Sequence, residues 1–180
     1  MHKLSKMKSM NIEVNPATVN ERPILRQLME LYQYDFSEFD CADLTPFGFY
    51  DYPYLDHYWV DPERSPFLVR VDGNLAGFVL VTRYNYFTSL KDCWVMAEFF
   101  ILRKYRHQGV GEFAARFIFT EFPGNWQVGQ IHENQAATTF WRKVINRFSQ
   151  GNFQEVILDN ENWHGPVQTF NSRPPQALSG

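Results

Sequence analysis

Only two cysteines, Cys41 and Cys93, occur in the 180 residues, too few for a disulfide framework or a four-thiolate zinc site. No long apolar run is present either. The most apolar stretch, Trp94 to Leu102, is broken by Glu98 and falls far short of the roughly 20 residues a membrane helix needs. No apolar segment follows Lys3, Lys6 and Lys8, so a secretory leader is not expected. Lys and Arg are missing from residues 27–63, which carry nine acids. The remainder then holds 11 acids and 17 bases, a formal +6 hidden behind an overall −3. Those bases do not form a long stripe, so nucleic acid is not an expected partner. No metal site is expected. What is left is an ordinary globular composition, 44% apolar and 21% charged. The expectation is one domain over 1–180 with an extension at 1–10 and a tail at 172–180, in the cytoplasm.

Aromatics, by contrast, are plentiful at 17%, and ten of them fall in residues 34–59. Acids and rings together read either as a loop docked on the core with solvated charges or as a binding surface. Along the chain, Ile12 and Val14 alternate with polar neighbours as in a strand over 11–18. Asn20, Glu21 and Pro23 open a helix whose apolar positions are Ile24, Leu25, Leu28, Leu31 and Tyr32. Pro and Gly at 46, 48, 53, 62 and 66 predict loops with one short helix from about Phe39 to Pro66. Phe67–Val71 and Leu75–Thr82 flank Asp72-Gly73-Asn74 as a hairpin, and residues 92–102 form a strand buried on both faces. Val110, Phe113, Ala114, Phe117, Ile118 and Phe122 repeat at helical spacing. A strand at 126–131, a helix from Asn134, and strands at 153–158 and 167–170 complete a mixed α/β order.

The stretch that carries chemistry runs from Glu98 to Gly111. A buried strand enters a basic turn, Arg103-Lys104-Tyr105-Arg106, and a helix starts through Arg106-x-x-Gly109-x-Gly111. Unpaired amides and the positive end of the helix dipole make such a start a phosphate site. The dinucleotide fingerprint is only partly met, since Ala114 stands at the third glycine position, and no Walker loop is present.

With those residues the chain resembles the GNAT superfamily of N-acetyltransferases, whose pattern is Arg/Gln-x-x-Gly-x-Gly/Ala at a helix start. A second family motif, Asn-x-x-Ala-x-x-Phe-Tyr, is matched by Asn134, Ala137 and Phe140, with Trp141 in the Tyr position. The resemblance spans about 11–170 and is weakest over 34–66. It implies a central mixed, mostly antiparallel twisted sheet of about seven strands with helices on both faces. It also implies acetyl-CoA as acetyl-donor cosubstrate. Phe99, Phe100 and Ile101 would pair with pantetheine where their strand splays from its neighbour. His107, Gln108, Gly109, Val110 and Gly111 would hold the pyrophosphate beside Arg106. Asn134, Phe140 and Trp141 would line the other side, unless the two aromatics are plain core.

An attacking amine must be neutral, and at an ordinary lysine pKa of about 10.4 that costs roughly 4–5 kcal/mol at pH 7. A general base is therefore expected. Glu98 is the first candidate, as the one charge in a buried strand; the alternative is a structural Glu paired with an Arg or Tyr. His132 is the second candidate, and His57 a third. Trp141 cannot protonate a thiolate, so Tyr105 or water would replace the family's Tyr. The acceptor side falls on Tyr34, Phe36, Glu38, Tyr50 and Tyr54, whose acids and rings suit a cationic small-molecule amine or a lysine-like group. The expected reaction is direct attack in a ternary complex. The rival is a non-catalytic acetyl-CoA-binding or regulatory module; a homodimer is compatible with either.

Overall fold

The computed structural model describes residues 10–173; the expected extension up to residue 9 and the tail from 174 lie outside them. In chain order the elements are β1 (Ile12–Pro16), α1 (Arg22–Asp40), β2 (Arg64–Val71), β3 (Asn74–Thr82), β4 (Cys93–Ile101), α2 (Val110–Glu121), β5 (Asn125–Gly129), α3 (Gln135–Phe148), β6 (Phe153–Asp159) and β7 (His164–Asn171). Short 3-10 turns lie at Val19–Glu21, Leu55–Trp59 and Arg103–Tyr105. The strands form one sheet in the order β1-β2-β3-β4-β5-β7-β6. Every pairing is antiparallel except β4 with β5.

Helices cover both faces. On one, Leu25, Leu28 and Met29 of α1 pack on Leu68, Phe78, Leu80 and Phe100. On the other, Ala114, Ala115, Ile118 and Phe119 of α2 and Val144 and Ile145 of α3 pack on Val79, Val81, Trp126 and Val128. Phe119 and Trp126 are fully buried with ring centroids 5.0 Å apart. Burying one such side chain is worth about 1.5–3 kcal/mol. Asp72 and Gly73 both take positive φ (48° and 77°), the two-residue hairpin turn that this pair favours.

Some boundaries differ from the sequence expectation: β2 begins at Arg64 rather than Phe67, β7 at His164 rather than Val167, and α1 runs past the expected loop start at about Phe39. α1 continues to Asp40, so Tyr34, Phe36 and Glu38 lie on its last turns rather than in a loop. Nothing in 34–40 breaks a helix, and Phe36 extends the apolar stripe from Tyr32, with ring centroids 5.6 Å apart. Cys41 ends the helix in the left-handed region at φ 55°.

Two irregularities in β4 set up the site. Its parallel pairing with β5 covers only Cys93–Val95 against Asn125–Gln127, so from Met96 onward the β5-facing edge of β4 is open. A bulge also interrupts its pairing with β3, because Leu80 faces Glu98 while Val81 faces Met96. Ala97 is the extra residue. Met96 and Glu98 would share a face in a regular strand; the bulge leaves Met96 in the α2/α3 core and turns Glu98 to the α1 side, beside Leu80.

Candidate active site

A cleft of about 630 Å³ opens where β4 and β5 separate, bounded by α1, the α2 start and α3. Of the residues expected to hold the cosubstrate, Phe99, Phe100, Ile101, Arg106, His107, Gly109, Gly111, Asn134, Phe140 and Trp141 line it. Gln108 and Val110 do not. The Gln108 side chain donates to the Lys104 carbonyl at 2.6 Å, and Val110 is buried in the core, which leaves each of them only a backbone amide to offer.

The α2 start is uncapped. No side chain accepts from its first turn, and among the described residues the amides of His107 to Glu112 find no acceptor within the chain. His107 (φ 59°) and Gly109 (φ 85°) take left-handed backbone, the alternation that gathers successive N–H groups into an anion-binding concavity. A Cβ on Gly109 would meet nothing within 4 Å. Glycine is therefore required there by its dihedral angle and not by crowding. Gly111 is different, because the Phe140 ring rests 3.2 Å from where its Cβ would stand. Asn134 caps α3 by accepting from the Ala137 amide at 3.0 Å.

Arg106 spans the base of the turn. Its Nε donates to the Ile101 carbonyl at 2.7 Å, and its NH2 group reaches Asp35 of α1 at 2.5 Å. Arg103 meets the other Asp35 oxygen at 2.7 Å. Burial alone would raise the Asp35 carboxyl, but hydrogen bonds from Arg106 and Arg103 outweigh it and hold the group below its usual range.

Glu98 lies between α1 and the loop after it. Its Oε2 accepts from Tyr32 Oη at 2.6 Å and its Oε1 from Tyr52 Oη at 2.9 Å. Burial lifts its carboxyl to about 7, against the opposing pull of the two tyrosines. That is where a base working at neutral pH belongs. Glu98 itself does not line the cleft, whereas Tyr32 does. Its partners are therefore the tyrosines of the structural alternative, in an environment that also suits a base.

The other catalytic candidates lie elsewhere. His132 is exposed beyond β5, its amide bound to the His164 carbonyl. Tyr105 is buried in the α2/α3 core with Lys104 Nζ 4.9 Å over its ring. Neither lines the cleft. On the acceptor side Phe36 and Glu38 line it, while Tyr34, Tyr50 and Tyr54 do not. Most of the acidic segment is engaged: Asp56 pairs with Arg22 and Arg26, Asp61 with Arg64, Glu63 with Arg83, and Glu30 accepts from the Tyr50 amide. Tyr32, Asp35, Phe39 and Lys143 line the cleft unforeseen. The signal for the first three was the α1 stripe 32-35-36-39. Trp141 is 5% exposed and packs edge-on to Phe99 and Phe140 at 4.9 and 5.0 Å, serving core and cleft together.

A mixed sheet parted between two parallel strands, with an uncapped helix start facing the gap, defines the class: an α/β domain with an anion-receptive helix start beside a free strand edge. The chain belongs to the GNAT acetyltransferase family, whose model matches residues 25–145. A GNAT-family acetyltransferase of Staphylococcus aureus Mu50 shares the fold with a TM-score of 0.63 at 13% identity, covering 91% of this chain and all of that one. The ribosomal-protein-S18-alanine N-acetyltransferase of Escherichia coli gives 0.60 at 11% identity, covering 94% and 100%. The PaiA N-acetyltransferase of Thermoplasma acidophilum, in complex with coenzyme A, gives 0.57 at 10% identity, covering 89% and 99%. No curated protein matches the sequence. Among the described residues, no helix is long and apolar enough to cross a membrane, and no cluster of three or more His, Cys, Asp or Glu is placed to hold a metal ion.

Proposed function

We propose that the chain is an acetyl-CoA-dependent N-acetyltransferase that acetylates a primary amine by direct attack in a ternary complex. The observation that carries this reading is the cleft, which joins an open strand edge, the uncapped α2 start at His107, Gly109, Gly111 and Glu112, and an apolar wall in one cavity. The residues present fit the cosubstrate. The amides of His107 to Glu112 suit a pyrophosphate, the open edge of β4 at Phe99–Ile101 suits an amide-bearing arm, and Phe99, Phe140 and Trp141 form the apolar wall. When bound, acetyl-CoA supplies a thioester carbonyl open to attack and a sulfur leaving group. Arg106, fixed by Asp35, holds the β4 end and the turn in register beside the phosphates. Glu98 takes the proton that the attacking nitrogen must lose. Trp141 walls off the sulfur without donating a proton to it.

The acceptor side is formed by Tyr32, Phe36, Glu38 and Phe39 on one face of α1. Ring faces with one carboxylate, Glu38, that no cation pairs with among the described residues suit a cationic small-molecule amine or a lysine-like group. The Escherichia coli neighbour acts on an alanine of ribosomal protein S18, so peptide amines belong in the acceptor screen. The test of cosubstrate binding is thermal denaturation with saturating acetyl-CoA. Binding to the folded chain alone raises the melting temperature; an unchanged value sinks the assignment.

A further inference from the structure

If Glu98 is the base, its proton must reach it from a cleft that it does not line. Among the described residues Tyr32 is the one tyrosine in the cleft wall, and its hydroxyl is 2.6 Å from Glu98 Oε2. Tyr52 binds the other carboxylate oxygen at 2.9 Å from the loop side and does not line the cleft. The two tyrosines thus make the same hydrogen bond to the same group, and one of them also lines the cleft. We propose that Tyr32 is a catalytic proton relay, passing protons between the reacting atoms in the cleft and Glu98.

The inference rests on the reading of the cleft as an acetyl-transfer site with Glu98 as base. The step balances as follows. A neutral amine forms a nitrogen–carbon bond to the acetyl carbonyl, and the carbon–sulfur bond breaks. The proton released by nitrogen goes to Tyr32 Oη as the hydroxyl's own proton moves to Glu98 Oε2. Run backwards, the same hydrogen bond returns one proton to the departing sulfur. The products are an amide and a thiol, with Tyr32 neutral and Glu98 ionised as at the start. Tyr32 never has to persist as a tyrosinate, which burial and the adjoining carboxylate place well out of reach. Ring contacts with Phe36, Phe78 and Phe100, at centroid distances of 5.6–5.8 Å, hold the hydroxyl in place.

A tyrosine that merely tunes Glu98 would behave like Tyr52, and this gives the test. Tyr32→Phe and Tyr52→Phe each keep the ring and remove one hydrogen bond to the carboxylate. Three quantities are measured on both: the Glu98 titration by carboxyl-carbon NMR without ligand, acetyl-CoA affinity by calorimetry, and the pH profile of kcat. Both variants are expected to raise the Glu98 midpoint and to bind acetyl-CoA normally. Once pH exceeds the shifted midpoint by about two units, Tyr52→Phe climbs back toward wild-type turnover. Tyr32→Phe stays roughly 100-fold low, the scale of a lost proton-transfer group. A ring-fluorinated tyrosine at 32, which keeps the hydroxyl, retains turnover. Recovery of Tyr32→Phe in parallel with Tyr52→Phe overturns the relay and leaves Tyr32 as a tuning residue, as does loss of turnover in the fluorinated variant. Unimpaired turnover in Glu98→Gln is a separate outcome: it overturns the base assignment beneath the relay, whatever Tyr32 does.

Discussion

Glu98 is where the chain accepts a thermodynamic cost. Its carboxyl titrates at about 7 in the folded chain against an ordinary value of 4.5. Between those values the folded state holds a proton that the unfolded state has lost, so stability falls as pH rises from 4.5 through 7 and stays low above. The span amounts to about 3 kcal/mol. Glu98→Gln is therefore expected to melt above the wild type at pH 8, with the gain shrinking toward pH 5 in a series of thermal melts. A constant difference across that range would show that burial does not lift this carboxyl. Trp141 invites a second test. Trp141→Tyr restores a hydroxyl but trims packing area, and Trp141→Phe is the control for that loss. Similar turnover in the two is expected, because Trp141 packs against the rings of Phe99 and Phe140, which offer a phenol no hydrogen bond to orient it. A Tyr variant ten times faster than Phe, a difference of about 1.4 kcal/mol, would show that an acid at this position contributes. At this scale the sequence was partly legible. One charge in a buried strand marks Glu98, but its tyrosine partners lie 66 and 46 residues away in the chain, and no local pattern joins them.

The turn into α2 is the element on which cosubstrate binding depends. Its six free amides need Gly109 at φ 85°, and the space beyond the Cβ position is open. Gly109→Ala adds the cost of left-handed backbone, about 1–2 kcal/mol, without filling the cavity. Gly109→Glu adds the same strain together with a carboxylate at the anion site. Both variants are expected to melt below the wild type, and the acetyl-CoA-induced rise should survive in Ala and vanish in Glu. A rise of full size in Glu would place the phosphates elsewhere. This motif was readable in sequence because it is local: glycine spacing, a basic turn and a following amphipathic stripe. The end of α1 was close to legible, with loops expected from about Phe39 and the helix running to Asp40. The reading of 34–59 as a docked loop or a binding surface rested on composition, whereas the spacing of Tyr32, Phe36 and Phe39 keeps a helical face. The β4 bulge had no sequence signal at all, for Ala97 looks like any strand residue and its displacement is set by pairing with β3.

Across the whole molecule, the charge asymmetry is spent mostly on folding. Arginines of the basic remainder neutralise Asp35, Asp56, Asp61 and Glu63, leaving Glu38 as the acid at the cleft rim on the acceptor side. Salt should then weaken competition by cationic amines only modestly, because one exposed carboxylate is the charge being screened, over a distance of about 8–10 Å. A steep salt dependence, measured as amine inhibition constants between low and physiological ionic strength, would point to a larger acidic surface at the site. The position of β7 between β5 and β6 had no signal in the sequence, because strand order is a long-range property. The measurement that tests the central reading most directly is thiol release from acetyl-CoA by wild type and Glu98→Gln, across a panel of small and peptide amines and over pH 5.5–9. The expected result is amine-dependent release that rises through about pH 7 in the wild type and is roughly 10²–10⁴-fold lower in the variant, with the deficit narrowing at high pH. Acetyl-CoA bound by the folded protein, with no amine-dependent thiol release from any acceptor, would contradict catalysis and leave a cosubstrate-binding module.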